Sequence, residues 1–185
     1  MFEGLVCIVV VFENILKIFQ VHVTTNDTVT ASSCPFRHAA SLAKLVKETT
    51  RALLKMTDGG TDQRNNIKSV QLSNICICKE LGLDFLCHIR CCPGHSWTNQ
   101  AERLMALLNL ALQNLSLERK EGSADFEKLI KNANSTAAVR KIVTAEEERK
   151  QEWISCMKPV IEQIEERFSR LKLKDEPIQV MKFLN

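Results

Sequence analysis

The apolar side chains between Trp153 and Leu171 recur at steps of three and four residues, and this stretch constrains the fold more than any other. Such spacing places them on one face of an α-helix. Thr144 and Glu147 have the spacing of a capping box, in which two free donors at a helix start are satisfied reciprocally. Pro159 is expected to bend this helix without ending it, because the periodicity continues beyond it. The members of the stripe are Trp153, Met157, Val160, Ile161, Ile164, Phe168 and Leu171.

Three earlier segments also predict helices, so four are expected. The first spans about Pro35 to Asp58 and stops at two glycines, and the second spans about Ile75 to Cys91. The third begins near Ser96 or Thr98 and continues to about Arg119. Composition favours the same class, since the chain has no tyrosine and only six glycines and four prolines. Strand-rich domains need many turns and favour aromatic and β-branched residues.

The lengths of the connections predict how these helices are arranged. Residues 61–73 and 120–143 are long links, the second with room for a helical turn around 126–132, while residues 92–94 form a short break. Short links join antiparallel neighbours, and long links allow parallel neighbours. The predicted fold is therefore all-α. It is a four-helix bundle at residues 34–174, up-up-down-down with two long crossover loops, followed by a loosely held tail at residues 175–185.

The N-terminal segment has features of an export signal. Leu5 to Phe12 is an uncharged apolar run that is too short to span a bilayer, so residues 1–23 are predicted to be a signal peptide. A buried N-terminal strand is the alternative for the same run. No later segment is long and apolar enough for an anchor, which predicts no stable membrane insertion once the leader is removed. The Asn-x-Ser/Thr triplets give three glycosylation candidates, Asn26, Asn114 and Asn134.

Eight cysteines are many for a chain of 185 residues. Disulfides belong to oxidising compartments, so an exported protein would use them as staples. Closing long loops contributes roughly 3–5 kcal/mol each in the chain-entropy model. Loss of the leader removes Cys7 and leaves seven cysteines, so one is free or pairs between chains, and the connectivity stays open. The disulfide candidates are Cys34, Cys76, Cys78, Cys87, Cys91, Cys92 and Cys156.

The same cysteines allow a second interpretation, a structural zinc site between Cys76 and His95. Thiolates and imidazoles at this density could supply four tetrahedral ligands. Their spacing matches neither paired Cys-x-x-Cys knuckles nor a zinc-finger histidine pair, so disulfides are favoured in an exported protein. In a cytosolic protein zinc would be favoured.

Other function classes find little support in the sequence. The net charge of +3 comes without a basic stripe interleaved with aromatic residues, so no nucleic-acid partner is predicted. There is no Gly-x-Ser-x-Gly elbow, no phosphate-binding glycine loop and no His-Glu-x-x-His pair. Neither catalysis nor a cofactor is therefore predicted. His38 is interpreted as an ordinary surface residue.

An apolar leader, sequons, Cys34 ahead of the first helix, cysteines in the middle segment and Cys156 in the last helix resemble the helical cytokines of the short-chain interleukin class. The resemblance implies a secreted glycoprotein of immune signalling that binds cell-surface cytokine receptor chains through exposed faces of the first and last helices. Charges there would set specificity and association rate more than raw affinity. The candidate receptor contacts are Lys44, Lys47 and Arg51 on the first helix and Glu162, Glu165, Glu166 and Arg170 on the fourth.

Three functional hypotheses are compatible with the sequence. The first is a secreted, cytokine-like ligand of a cell-surface receptor. The second is an intracellular helical adaptor with a structural zinc, which predicts reduced thiols, bound metal and no glycans. The third is a membrane-tethered helical protein that keeps its leader.

Overall fold

The computed structural model describes residues 6–14, 17–47, 49–92, 94, 100–173 and 175–181. Its contacts divide the chain into two units, the first made of Met1–Ser32 and Leu108–Asn185 and the second of Ser33–Leu107. The described strands are β1 (Val6–Asn14), β2 (Lys17–Thr25), β3 (Ala52–Thr57), β4 (Phe85–Arg90), β5 (Lys172–Leu173), β6 (Glu176–Pro177) and β7 (Gln179–Met181). The described helices are α1 (Pro35–Ala43), α2 (Lys68–Leu81), α3 (Gln100–Ala111), α4 (Ala124–Lys131), α5 (Thr136–Val143) and α6 (Glu147–Ser169).

In the first unit, β2 is the central strand of a three-stranded sheet. It pairs antiparallel with β1 and parallel with β7, and His22 lies opposite Gln179 in the register. The side chains from Val21 to Thr25 are all buried, as expected for a strand that is covered on both faces. The chain reaches β7 through the short antiparallel pair of β5 and β6.

The long helix α6 buries one stripe of side chains, as its sequence predicts. The helix continues through Pro159 to Ser169, so the prediction that this proline does not end it is confirmed. The buried members of the stripe are Trp153, Cys156, Val160, Ile164 and Phe168.

The predicted capping box at Thr144 and Glu147 is wrong. Helix α5 ends at Val143, and the Thr144 hydroxyl donates to the carbonyl of Arg140 in the last turn of that helix, at 2.8 Å. Helix α6 follows Glu146, which has an extended backbone and makes no side-chain capping bond. Thr144 therefore closes one helix instead of opening the next.

Buried side chains in the first unit surround Trp153. Its ring meets the Phe126 ring edge-on, with the ring centres 6.5 Å apart, and Val29 and Val143 complete the cluster. The indole Nε1 donates to Asp27 Oδ2 at 2.7 Å, which gives this buried carboxylate a partner inside the core. Asp27 also accepts from the backbone N–H of Val29 at 3.0 Å, which fixes the turn after β2.

Arg119 connects the segment ahead of α4 to that helix. Its guanidinium donates to both carboxylate oxygens of Glu127, at 2.6 and 2.5 Å, and lies 5.6 Å from the centre of the Trp153 ring. The hydrogen bond from Arg119, followed by one from the backbone of Gly122, lowers the pKa of Glu127 to about 2. The pair therefore stays charged across the physiological range.

The second unit is built on the strand–helix–strand segment β3–α2–β4. The two strands are parallel, with Ala52 opposite Phe85 and Thr57 opposite Arg90. Parallel neighbours need a crossover connection, and here α2 supplies it. Helix α1 packs against α2. The buried side chains of α2 are Val70, Ser73 and Ile77.

The prediction of an all-α, up-up-down-down four-helix bundle at residues 34–174 is wrong, because two of the segments predicted to be helices contain strands. The first predicted helix, 35–58, consists of α1 and β3 with a loop between them. The second, 75–91, consists of the end of α2 and all of β4. Gly82 caps α2 in the left-handed conformation, at φ 59°, so the chain leaves the helix there.

The two predicted crossover loops are also different in the structure. The segment 61–73 includes the start of α2, and the segment 120–143 contains α4 and α5. The third predicted helix is present as α3, but it ends at Ala111 and not near Arg119, while Ser96 and Thr98, its predicted starts, lie outside the described residues. The long–short–long alternation of links from which the bundle was inferred is therefore absent.

Both ends of the described chain form strands. Residues 6–14 and 17–25 make the hairpin of β1 and β2, in agreement with the strand alternative for the N-terminal run, and removal of residues 1–23 stays a prediction. Residues 176–181, predicted to be a loosely held tail, form β6 and β7 around the buried Ile178 instead. Among the described helices, none combines the length and the apolar character needed to cross a membrane.

Candidate protein-interaction surface

The two-stranded sheet of the second unit has one apolar face that the rest of the described chain leaves exposed. Neighbouring residues in the register share a face, so Leu54 lies beside Cys87 and Met56 beside Ile89. Leu54 is 67% exposed and Phe85 is 61% exposed. This surface, called the β3–β4 face below, consists of Ala52, Leu54, Met56, Phe85, Cys87 and Ile89.

An exposed apolar face is unusual for a parallel sheet. Parallel sheets occur almost entirely with both faces covered, because their crossover helices lie on them. A contiguous apolar patch at a protein surface marks a site for another molecule far more specifically than scattered single residues do. The β3–β4 face is therefore the candidate functional site.

The opposite face of the sheet faces α2 through a chain of hydrogen bonds centred on His88. Lys55 Nζ donates to the side-chain oxygen of Asn74 at 3.5 Å, and the Asn74 amide nitrogen lies 3.1 Å from His88 Nδ1. His88 Nε2 lies 3.0 Å from the hydroxyl of Thr57, which donates to the carbonyl of Gln63 at 3.2 Å. These directions agree only when Nδ1 accepts and Nε2 donates, so His88 is neutral with its proton on Nε2.

The environment of His88 favours the same neutral form. Burial, followed by the nearby positive charge of Lys55, lowers the pKa of His88 below its ordinary value. The network links both strands to α2 through polar contacts of fixed direction. It thereby determines which face of the sheet is turned inward and which is left exposed.

Four charged residues lie at the ends of β3 and β4, and the register places Arg90 beside Thr57, on the side of the sheet that faces α2. Arg51 precedes β3 and Asp84 precedes β4, while Asp58 follows β3 and Arg90 ends β4. All four are exposed. The backbone N–H of Asp84 donates to the carbonyl of Arg51 at 2.8 Å, which holds the two strand starts together. The Arg51 guanidinium donates to the carbonyl of Gly82, the C-cap of α2, at 3.3 Å, so this charge lies at the end of the helix and not on the β3–β4 face.

Gly59 allows the Arg90 side chain to lie across the end of β3. Its φ is +84°, and a Cβ at this position would fall 2.1 Å from Arg90 Nε. The Gly59 carbonyl accepts from Arg64 Nε at 2.9 Å. A larger residue would therefore displace Arg90 and strain the backbone together.

Ser33, His38 and Asp62 meet beside α1 without the geometry of a catalytic triad. The Ser33 hydroxyl and His38 Nε2 are 2.8 Å apart, and both bond to the same Asp62 oxygen, the histidine at 2.8 Å. In a triad the acid and the nucleophile bind opposite ring nitrogens. Burial raises the pKa of Asp62, but hydrogen bonds from Ser33 and His38 outweigh it and lower the value. His38 is thus a partly buried link between two segments and not an ordinary surface residue.

A cavity of about 640 Å³ lies against α2 beside the histidine network. The side-chain amide of Asn74 and both ring nitrogens of His88 already have partners in that network. Few polar groups are left there to orient a ligand, so the cavity is a weaker candidate than the β3–β4 face. Its lining includes Gln71, Asn74, Cys78, Lys79, Leu86 and His88.

The three receptor contacts predicted on the first helix do not share a helix face. Helix α1 ends at Ala43, so Lys44 is its C-cap and Lys47 lies in the following loop. Arg51 immediately precedes β3. Of the three, only Arg51 adjoins the strands of that sheet, and its side chain bonds to the end of α2.

The contacts predicted on the fourth helix lie on α6 or at its end, and each makes a contact within the chain. Glu165 accepts from the Thr25 hydroxyl at 2.9 Å. Glu162 lies 3.9 Å from Lys158, and Glu166 forms an ion pair with Arg170, the C-cap of the helix. Exposed pairs of this kind contribute little to stability. Their role as receptor contacts stays a prediction.

All seven described cysteines are free thiols. Cys156 is buried in the first unit, where desolvation raises the pKa of its thiol. The other six, Cys34, Cys76, Cys78, Cys87, Cys91 and Cys92, belong to the second unit. The disulfide pairing predicted from the sequence stays a prediction.

The predicted zinc cluster is divided among several elements. Cys76 and Cys78 are on α2, Cys87 and His88 are on β4, and His95 lies outside the described residues. Within the part of the chain that the structure describes, no group of three or more His, Cys, Asp or Glu side chains is placed to hold a metal ion.

The three glycosylation candidates differ in exposure. Asn26 follows β2 and is only 9% exposed. Asn114 is exposed after α3, in the left-handed conformation at φ 59°, and Asn134 is exposed just ahead of α5. A glycan has room on Asn114 and Asn134 but not on Asn26 in this fold.

Sequence reasoning missed the β3–β4 face because Leu53 and Met56 also fit a helical stripe. An alternating pattern was nevertheless present, since Leu54 and Met56 are separated by Lys55 and followed by Thr57. The break at Asp58, Gly59 and Gly60 would end a strand as readily as a helix. The alternation was the one signal that could have revealed the face.

In comparisons with known proteins, no family model matches the chain, and no curated protein or solved structure matches it either.

Proposed function

We propose that this chain is a non-catalytic interaction protein that binds a protein partner through the β3–β4 face. The exposure of Leu54 and Phe85 on a parallel sheet carries the proposal. A face of this composition gains free energy when it leaves water, at about 25 cal/mol per Å² of apolar surface. A protein partner supplies a matching apolar surface, which a small polar ligand does not.

The face has a charged residue at its border. By the alternation of side chains along β3, Asp58 falls on the same side as Leu54 and Met56, and it is exposed. Stable protein interfaces have an apolar core and a polar border that selects the partner. The partner is therefore expected to carry apolar side chains with a positive charge beside them.

Site-specific photo-crosslinking in expressing cells tests the proposal. A photoreactive residue replaces Leu54 in the full chain, and the matched control replaces Leu110, which is 57% exposed on α3 in the other unit. We expect an adduct of discrete mass from position 54 alone. That adduct should disappear when Phe85→Lys places a charge on the same face.

Two results would contradict the proposal. Position 54 could give no adduct, or positions 54 and 110 could give the same set of adducts. The second result would mean that crosslinking follows exposure alone. Circular dichroism of the purified variants verifies that they are folded, which is expected because both leucines are exposed.

A secreted ligand of a cell-surface receptor is the second candidate function. The exposed sites Asn114 and Asn134 support it, because glycans would be tolerated there. The intact mass of protein from eukaryotic cells and from their medium separates it from an intracellular adaptor. A shortened chain with glycan mass in the medium supports the ligand, whereas a full-length intracellular chain with reduced thiols supports the adaptor, with or without bound zinc.

A further inference from the structure

We propose that the occupant of the β3–β4 face is one amphipathic α-helix of a separate protein, which lies along the strands with its N-terminal end beside Asp58. This inference rests on the proposed function, since it names the kind of partner that the same surface binds. Three observations carry it: the parallel direction of the two strands, the size of the face, and the charge of Asp58 at its border.

The parallel direction of β3 and β4 favours a helix as the covering element. Parallel strands are joined by crossover helices that pack on the faces of the sheet, so such a sheet is normally layered between helices. Helix α2 forms the layer on one face, where the Asn74 amide nitrogen lies 3.1 Å from His88 Nδ1. A helix is therefore the layer that a sheet of this kind normally has on its second face.

The face has the dimensions of a single helix. Each strand has six residues, which span about 20 Å, and the two strands lie about 4.8 Å apart. A helix with its side chains is about 10 Å across, and about 13 of its residues span 20 Å. Three to four turns would therefore cover Leu54 and Phe85. A standard interface between folded proteins buries about 800 Å² on each side, which is more than this face offers.

Asp58 gives the bound helix a direction. It follows β3 on the same side of the sheet as Leu54 and Met56, and it is exposed. The N-terminus of a helix carries a partial positive charge, so a helix that begins beside this carboxylate is favoured. Such a helix runs antiparallel to both strands. Helix α2 has the same direction, since it leads from the end of β3 back to the start of β4.

Photo-crosslinking from two positions on β3 tests whether the partner is a helix. Ala52 and Met56 are both exposed on the face and lie about 13 Å apart along the strand. A photoreactive residue replaces each of them in turn in the full chain, in expressing cells, and mass spectrometry locates the labelled residues of the partner. Along a helix, 13 Å corresponds to about nine residues, whereas along a strand it corresponds to about four.

We expect both positions to label one continuous segment of one partner. The residue labelled from position 56 should precede the residue labelled from position 52 by about nine positions. A separation of about four residues, the reverse order, or labels in segments far apart in the partner's sequence would overturn the inference. An adduct of twice the chain mass would identify the occupant as a second copy and would overturn it as well.

The contribution of Asp58 is measured with the labelled segment, synthesised as a fluorescent peptide of about 14 residues. Asp58→Lys should weaken its binding to the full chain about 3- to 10-fold, because the variant reverses the charge beside the positive end of the helix. Glu80→Lys makes the same change of charge at an exposed position near the end of α2, on the other side of the sheet, and should leave the affinity unchanged. Equal affinities of the two variants, with circular dichroism verifying that both are folded, would overturn the assigned direction.

The failure of this inference is distinguishable from the failure of the proposed function. If position 54 yields an adduct but the labels from positions 52 and 56 lack the helical separation, the interaction function stands with a partner that is not a helix. If position 54 yields no adduct, both fail.

Discussion

The strands of the two units differ in how completely their side chains are buried. In the first unit, residues Val21 to Thr25 of β2 are buried on both faces, and Val23, Thr24 and Thr25 are each at most 3% exposed. In the second unit, β3 turns Lys55 and Thr57 toward α2 and leaves Leu54 in contact with water. Both strands mix apolar with polar residues, so composition alone does not explain the contrast.

The contrast shows that the chain covers both faces of β2 in the first unit but only one face of the β3–β4 sheet in the second. In the first unit, α6 buries one stripe of side chains and packs against β2 and β7. The β3–α2–β4 segment has one helix layer, on one side of its sheet. The second face is therefore a place where a partner would bury apolar surface.

Truncation of one aromatic residue in each unit gives the largest expected difference. Phe168→Ala removes a fully buried ring on α6 and should lower the free energy of unfolding by roughly 3–5 kcal/mol. Phe85→Ala removes a ring that is 61% exposed and should change it by about 0.5 kcal/mol or less. Urea unfolding followed by circular dichroism, at a concentration where the chain is monomeric, measures both. Equal losses would mean that Phe85 is packed within the chain.

Two glycines with positive φ give an intermediate effect in the second unit. Gly82→Ala meets open space and should cost about 1–2 kcal/mol for the left-handed backbone alone. Gly59→Ala should have the same cost for the left-handed backbone. Its Cβ would also collide with the Arg90 side chain, which adds about 1–3 kcal/mol. Thermal unfolding of both variants measures the difference.

A second substitution tests the cause of that difference. Arg90→Ala in the Gly59→Ala background should recover the added loss and leave the backbone cost. If Arg90→Ala recovers nothing, the Arg90 side chain does not lie across Gly59, and the end of the β3–β4 face differs from the description above.

The smallest effect is the pH dependence carried by His88. Its pKa in the folded chain lies below the ordinary value of 6.5, because of burial and the nearby Lys55. The unfolded chain therefore binds the proton first as pH falls through 6.5. Stability is full above that pH and declines as pH falls from 6.5 toward the pKa of the folded state.

His88→Gln should reduce the decline in stability between about pH 7.5 and about pH 5.5. His22 in the first unit also has a pKa lowered by burial, so part of the decline should remain in this variant. Urea unfolding at the two pH values gives the comparison. An unchanged pH dependence would show that the histidine network does not hold His88 neutral.

The sequence predicted the first unit's main helix better than anything in the second unit. The stripe of α6 extends over several turns, so its period of 3.6 is unmistakable, and Trp153, Val160, Ile164 and Phe168 are buried as expected. Strands β3 and β4 have six residues each, and a run of that length fits both periods. Gly82 lies inside the predicted second helix, whereas in the structure it ends α2.

The candidate site was less predictable than the fold for a physical reason. The exposure of Leu54 depends on the register of β3 against β4 and on which face α2 covers, and both are decided by contacts between residues far apart in the chain. A single sequence shows that apolar and polar residues alternate along β3, but it does not show which of the two faces α2 covers. The hydrogen bond between Asn74 and His88 helps to determine which face of the sheet α2 covers. Asparagine and histidine commonly have no such role, so the sequence does not point to it.

The order of the units along the chain has a consequence for synthesis on the ribosome. The second unit is contiguous, whereas the first is completed only when β7 pairs with β2, roughly 150 residues later. At about 5–20 residues per second, that edge of β2 waits roughly 8–30 s for its partner strand. An unpaired strand edge is a template for pairing with other chains. The nascent hairpin of β1 and β2 is therefore the segment for which a chaperone bound during translation would matter most.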